Sequence, residues 1–307
     1  MSIRMFLSVF TLSSALAFAQ APANPGGEVQ IILTAADHMN HQPPFLKGTD
    51  VTIMDATITS FTPIENGRNL ELYIVIDDAA DYYLGSRLSE LRHFIAGQPE
   101  TVAIGVAYLR DGTLRIAEKP ALDHERAANA LRAPSGSKTT NPYCGISDLI
   151  DAWHNPGANT LRREILLVTS GADASSSGAA VRANAETAIH DAERAGVVLY
   201  ALYNPVRNYA SEKWSEVDAG IVHLAHVSYE TGGEAYFTGH GPADSFAPFL
   251  GDITEHLAHQ YIVKFRLAAG PESGFHSIHV NGKTPDEELM APAAIWTSTA
   301  AAPTGGN

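Results

Sequence analysis

Four pairs of histidines pose the first chemical question in this chain. His38/His41, His223/His226, His256/His259 and His276/His279 are each spaced i, i+3. On a helix that spacing puts two imidazoles on one face, an arrangement able to hold zinc. The pattern His-Glu-x-x-His is absent, however, and the sequence names no third or fourth ligand. The pairs at 38/41 and 276/279 also fall in β-prone or loop segments. The histidines therefore read as surface or capping residues, and a zinc-dependent hydrolase is the least favoured function. Ser137-Lys138-Thr139 has the ending of a phosphate-binding loop, but Ser137 and Arg132 stand where that loop needs glycine. No Gly-x-Ser-x-Gly elbow offers a hydrolase nucleophile. Cys144 is the only cysteine, so no intrachain disulfide can form, and no base is evident to activate its thiol. Three carboxylates, Asp77, Asp78 and Asp81, close a long apolar run. Taken alone they predict a solvated strand end with helix-capping side chains.

The elements that must position these groups follow from hydrophobic period. Residues 70–76 form a nearly continuous apolar run, expected of a parallel strand buried on both faces. Leu84, Leu88, Leu91 and Ile95 recur at helical spacing, and Gly97 and Pro99 stop that helix. Residues 102–109 predict a second strand, and Asp111-Gly112 turns it into a hairpin partner over 113–117. Asp123 can cap a helix running to Arg132. A loop at 133–142 leads to a helix over 145–153. Further strands are expected at 164–169, 197–203 and 234–238, with helices at 179–195, before Thr231-Gly232-Gly233, and along Phe246, Phe249, Leu250, Ile253 and Leu257. Strands alternating with helices imply right-handed crossovers and a doubly wound, mostly parallel α/β sheet.

Short β-prone runs flank this unit on both sides. The expected organisation is a leader at 1–19, a Pro- and Gly-rich linker at 20–28, and an N-terminal β segment at 29–66. The α/β domain then occupies 67–260, a C-terminal β segment 261–297, and a disordered tail 298–307. The two β segments are expected to meet as a small β-sandwich-like domain. Within the leader, Arg4 precedes an apolar run from Met5 to Phe18, and Ala17-Phe18-Ala19 suits a signal peptidase. That run is too short and too rich in Ser and Thr to span about 30 Å of hydrocarbon. The reading is a secreted or periplasmic protein. With 20 Lys and Arg against 34 Asp and Glu, the net charge is −14. Such a balance, with no basic cluster beyond Arg162-Arg163, argues against nucleic acid and anionic membrane surfaces.

Several segments taken in order resemble von Willebrand factor type A (VWA) domains, and in particular the secreted VWFA-related proteins of acidobacterial type. They are the buried strand ending in Asp77-Asp78, the hairpin strand after the second strand, and Leu-Leu-Val-Thr-Ser-Gly-Ala-Asp at 166–173. Ala-Gly-Val-Val-Leu-Tyr at 195–200 and Glu-Thr-Gly-Gly-Glu-Ala-Tyr at 230–236 complete the set. The resemblance covers about residues 70–260. It implies a divalent cation at the carboxyl ends of the strands, held by Asp-x-Ser-x-Ser, a loop threonine and the Asp of Thr-Asp-Gly. Here that set is damaged. From Asp78 the serine positions hold Ala80 and Tyr82, and from Asp77 they hold Ala79 and Asp81. Ser170 replaces the Asp of the later motif, although Asp173 lies three residues on, and Thr139 or Thr140 could supply the loop hydroxyl. Alanine donates no oxygen, so tight binding of a small octahedral ion such as Mg²⁺ is not expected. Asp77, Asp78, Asp81, Thr139 and Asp173 are then a vestigial metal set. The function expected is a non-enzymatic binding, adhesion or assembly module without cofactor. It would meet a protein partner through the loops near Asp78, Thr140 and Ser170. The alternative is a ligand binder that still uses Mg²⁺ through Asp78, Asp173 and a loop threonine.

Overall fold

A computed structural model describes residues 27–36, 45–81, 83–111, 113–137, 141–153, 162–173, 178–205, 214–268, 272–283 and 288–298. The leader, His38, His41, Lys138, Thr139, Thr140 and the tail from residue 299 lie outside the described residues. In chain order the elements begin with strands β1 (Glu28–Ala36), β2 (Val51–Ile53), β3 (Ala56–Pro63) and β4 (Leu70–Asp77). Helix α1 (Leu84–Gly97), β5 (Ala103–Arg110), β6 (Thr113–Ala121), α2 (His124–Ala130) and α3 (Pro142–Ala152) follow. Next come β7 (Arg162–Thr169), α4 (Gly178–Ala195), β8 (Val197–Tyr203), α5 (Trp214–Glu230), β9 (Ala235–Tyr236) and α6 (Ala247–Ala258). The chain closes with β10 (Gln260–Leu267), β11 (Gly274–Ser277), β12 (Val280–Gly282), β13 (Glu288–Met290) and β14 (Ala294–Thr297).

The apolar runs line up as one six-stranded sheet, in the order β6-β5-β4-β7-β8-β9. Only β6 runs antiparallel, as a hairpin partner of β5; the other neighbours are parallel. Successive side chains on a strand point to opposite faces, so each buried strand feeds two cores. Leu72, Ile74 and Ile76 pack with α1, α2 and α6 on one face. Tyr73 and Val75 pack with α3, α4 and α5 on the other. Burying one Leu or Ile in this way is worth about 1.5–3 kcal/mol, which is why these strands tolerate no polar interruption at those positions.

The first and last β segments do meet. β1 pairs antiparallel with β10 from Glu28↔Arg266 to Thr34↔Gln260, and β10 pairs on its other side with β3. Ile31, Leu33, Tyr261, Val263 and Phe265 share a third core with Val51, Ile53, Ile278 and Ile295. Ile32, one residue out of phase, faces the other way and packs against the core beneath α6.

Several boundaries differ from expectation for local reasons. Helix α3 starts at Pro142 rather than 145 because the Asn141 side chain accepts from the Cys144 amide, with Pro142 preset for the first turn. Helix α2 stops at Ala130, short of Arg132, because the Arg132 amide is taken by the Tyr108 hydroxyl at 2.7 Å. The strand expected at 276–280 is two strands, β11 pairing with β14 and β12 with β2.

Candidate functional site

In an open α/β sheet, ligands gather in the crevice at the carboxyl ends of the strands where the strand order reverses. Here that point lies between β4 and β7. Asp77, the last residue of β4, is wholly buried. Its Oδ1 accepts from the Ala79 amide at 2.9 Å and its Oδ2 from the Thr169 hydroxyl at 2.8 Å. Thr169 closes β7, so this bond ties the two central strands together at their ends.

Asp78 is also wholly buried, and it is held by a cation from the protein itself. Arg132 donates to both carboxylate oxygens, at 2.6 and 2.8 Å, in the bidentate geometry that makes such pairs strong. The Ser135 hydroxyl and amide donate to the same carboxylate at 2.9 and 3.2 Å. Gly136 and Ser137 donate their amides to the Asp78 carbonyl, so the loop from Arg132 to Ser137 is moored to this one residue. The guanidinium lies 3.8 Å from the centre of the Tyr108 ring, a cation–π contact that fixes its plane. Burial alone would raise the Asp78 pKa, but the bonds from Arg132 and Ser135 outweigh it and hold the carboxyl below its usual 3.8. The bond to Asp78 in turn raises the pKa of Arg132.

Asp81 accepts from the Tyr83 amide at 2.9 Å just ahead of α1, and its own amide donates to the Pro205 carbonyl at 2.7 Å. Asp173 is buried and accepts from Asn184 Nδ2 at 2.9 Å. Ser170 Oγ accepts from the Ala172 amide, and Tyr143 donates to the Gly171 carbonyl at 2.8 Å. Gly171 has φ +70°, and a Cβ there would strike the Gly220 backbone of α5, so only glycine lets this loop close onto that helix.

The expectation of a solvated strand end needs correcting, since Asp77, Asp78 and Asp81 are all buried. Neither do these residues fit a small octahedral cation. Both oxygens of Asp78 are taken by a guanidinium that already balances the charge, and both oxygens of Asp77 by an amide and a hydroxyl. Ala79 and Ala80 offer no side-chain donor. Arg132, Ser135 and Thr169 are the partners that sequence reading missed. In the sequence Arg132 reads as a helix end and as the residue standing where a phosphate-binding loop needs glycine, and nothing local pairs it with an acid 54 residues away.

In the pairs at 223/226 and 256/259 the two histidines contact different partners. His226 sits 3.2 Å from Glu186, whereas His223 packs its ring edge-on to Tyr143. His259 Nδ1 bonds the Glu255 carbonyl of its own helix, while the buried His256 turns toward Tyr236. Ser137 bonds Asp111 and so pins the β5–β6 turn to the moored loop.

No protein-family model matches this chain, and no curated protein matches it. Solved structures with a similar arrangement include an aerotolerance-related membrane protein from Bacteroides fragilis, at 15% identity and TM-score 0.45 over 61% of this chain and 98% of that one. BatB from Bacteroides thetaiotaomicron matches at 12% identity and TM-score 0.45, covering 61% and 97% of the two chains. The SpRpn10 VWA domain matches at 11% and TM-score 0.40, covering 59% and 93%. The strand order, with a single antiparallel hairpin strand at one edge and helices on both faces, makes this a doubly wound, mostly parallel α/β fold. Among the described residues no helix is long and apolar enough to cross a membrane.

Proposed function

We propose that the chain is an exported, non-enzymatic binding or assembly module that meets a protein partner through its strand-end loops without a metal ion. The observation that carries this reading is the Arg132–Asp78 pair. Where the resemblance implies an exchangeable cation, the chain supplies a covalently attached one, and it uses that charge to hold the 132–137 loop in place. A preorganised loop is what a protein-binding surface needs, because less ordering entropy is lost on association. Export rests on the leader-like first residues, with the mature chain beginning at Gln20.

The test combines metal and partner. A ligand that binds only the folded state stabilises it by RT ln(1 + [L]/Kd), about 2.7 kcal/mol at a hundredfold excess over Kd. Mg²⁺ at millimolar concentration is therefore expected to leave the melting temperature where equal ionic strength of monovalent salt leaves it. Crosslinking in the envelope fraction is expected to capture the same partner with and without EDTA, and to lose it when the 133–137 loop is replaced. A saturable Mg²⁺ shift that Asp78→Ala abolishes would overturn the reading in favour of a metal-dependent ligand binder.

A further inference from the structure

A second group of ligand-type side chains lies away from the strand ends, between the sheet edge and α6. Glu234 immediately precedes β9, and Asp252 and His256 lie one turn apart on α6. One ligand atom from each of the three lies within 4.8 Å of the other two. His256 Nε2 is 3.7 Å from Asp252 Oδ2, and His256 Nδ1 is 4.0 Å from Glu234 Oε2. The imidazole is 5% exposed, while the Glu234 and Asp252 side chains are 32% and 40% exposed. The cluster therefore has a buried nitrogen donor at its base and two carboxylates at its mouth. We propose that Glu234, Asp252 and His256 form a site for a borderline divalent metal ion, with Zn²⁺ the favoured occupant.

Geometry supports this first. A tetrahedral ion with bonds of about 2.0–2.2 Å holds its ligand atoms roughly 3.3–3.6 Å apart. The 3.7 and 4.0 Å contacts use different ring nitrogens, Nε2 toward Asp252 and Nδ1 toward Glu234. An ion takes only one of them, and one ligand atom from each residue then lies within 4.8 Å of the others, beyond the tetrahedral spacing by up to roughly an ångström, which rotation of the two partly exposed carboxylates has to close. The i, i+4 spacing of Asp252 and His256 puts both on one face of α6. Orientation is the second support. The Tyr236 hydroxyl donates to Asp252 Oδ2 at 2.7 Å and stands 3.3 Å from His256 Nδ1, while the Tyr200 ring stacks on the imidazole at 6.0 Å. Outer partners of this kind fix the rotamers of metal ligands. The donor set decides the ion. One imidazole with two carboxylates suits Zn²⁺ better than Mg²⁺ or Ca²⁺, which prefer oxygen alone. Three protein ligands leave a fourth position on the exposed side for water or a carboxylate from a partner. An ion here would clip α6 to the short edge strand β9.

The site differs from a histidine pair, and the sequence could not show it. Its members are separated by 18 and 4 residues along the chain, and only the packing of α6 against β9 brings them together. The test uses the full mature chain, stripped with EDTA and titrated with Zn²⁺ in a calorimeter. One saturable site is expected, with a chelator-reversible rise in melting temperature. Asp252→Asn and Glu234→Gln should each weaken binding at least tenfold, and His256→Gln should abolish it. Mg²⁺ at the same concentration should give no saturable signal. Should His256→Gln fail to fold, the two carboxylate variants at the exposed mouth decide the matter. No saturable Zn²⁺ binding, or binding unchanged in both carboxylate variants, would overturn the proposal, the second result placing the metal on other histidines.

Discussion

Asp78 shows how one residue can organise a site without chemistry of its own. A wholly buried carboxylate is tolerable only when a cation and hydrogen bonds replace its water. Arg132 supplies both, yet its side chain is 43% exposed, which screens part of the interaction. Arg132→Met is thus expected to cost about 2 kcal/mol in urea denaturation, less than the 3–5 kcal/mol of a fully buried pair. Adding Asp78→Asn should recover most of that loss, because it removes the charge left stranded; no recovery would mean that the two residues act separately. The pH dependence has two windows of opposite sign. Asp78, depressed below 3.8, contributes stability that is present above 3.8 and lost as pH falls through its folded value. Glu164 is wholly buried, and burial pushes its carboxyl up to about 7 despite the nearby Arg162. Glu193, half-buried, is likewise raised to about 7 by burial. A carboxyl with a raised folded pKa binds protons more tightly when folded, so stability is full below the unfolded value of 4.5 and declines as pH rises toward 7. Denaturation midpoints measured from about pH 4.5 to 7 should fall, and Glu164→Gln should flatten part of that slope, with Glu193 accounting for the rest. An unchanged slope in the variant would remove Glu164 from the account.

At the level of elements, glycine placement separates positions that the fold needs from positions it merely allows. The turn from α5 into β9 runs through Gly232, with φ +80°, and Gly233, where a Cβ would collide with the Leu199 backbone of β8. Gly251, inside α6, has open space around the same atom. Gly233→Ala is therefore expected to lower the melting temperature by several degrees, because strand β8 cannot yield without breaking its ladder. Gly251→Ala should raise stability by about 0.5–1 kcal/mol, since alanine loses less backbone entropy in a helix. Calorimetric scans of the two variants side by side check both signs. Legibility varied at this scale. The stripe Leu84, Leu88, Leu91, Ile95 announced α1, and Asp123 announced the start of α2, where its carboxylate accepts from the Arg126 amide. The end of α2 was hidden, because the bond that stops it comes from Tyr108 on a strand distant in sequence.

Across the whole molecule, the chain's two β segments and its α/β unit share polar as well as apolar contacts. Arg162, at the start of β7, is buried and donates to Arg68 O, to Leu257 O and, at 2.5 Å, to Gln260 Oε1. Gln260 in turn donates to Thr34 of β1. On the far side, Glu193 of α4 accepts from the Ala294 amide, and Arg194 lies over the Trp296 ring at 4.6 Å. A β region so anchored should not melt by itself. Far-UV circular dichroism and tryptophan fluorescence are expected to give coincident unfolding midpoints, since Trp153 reports on the α/β core and Trp296 on β14. Midpoints separated beyond error would show two independently folding parts.

What the sequence determined by itself was the α/β alternation and the burial of the strands, because hydrophobic period is written residue by residue and needs no partner to be read. The run at 70–76, the stripe of α1 and the hairpin at Asp111 all belong to that class. That Ala79 and Ala80 bring no side-chain oxygen to the strand end was legible as well, since an alanine lacks a donor oxygen in any fold. Tertiary structure alone decided which groups meet the buried aspartates there. Arg132 meets Asp78 across 54 residues, and Thr169 meets Asp77 across 92. Such pairings depend on which strands lie side by side and where a loop returns, and no local pattern encodes them. The same holds for Glu234, Asp252 and His256, whose convergence exists only because α6 packs across the edge of the sheet.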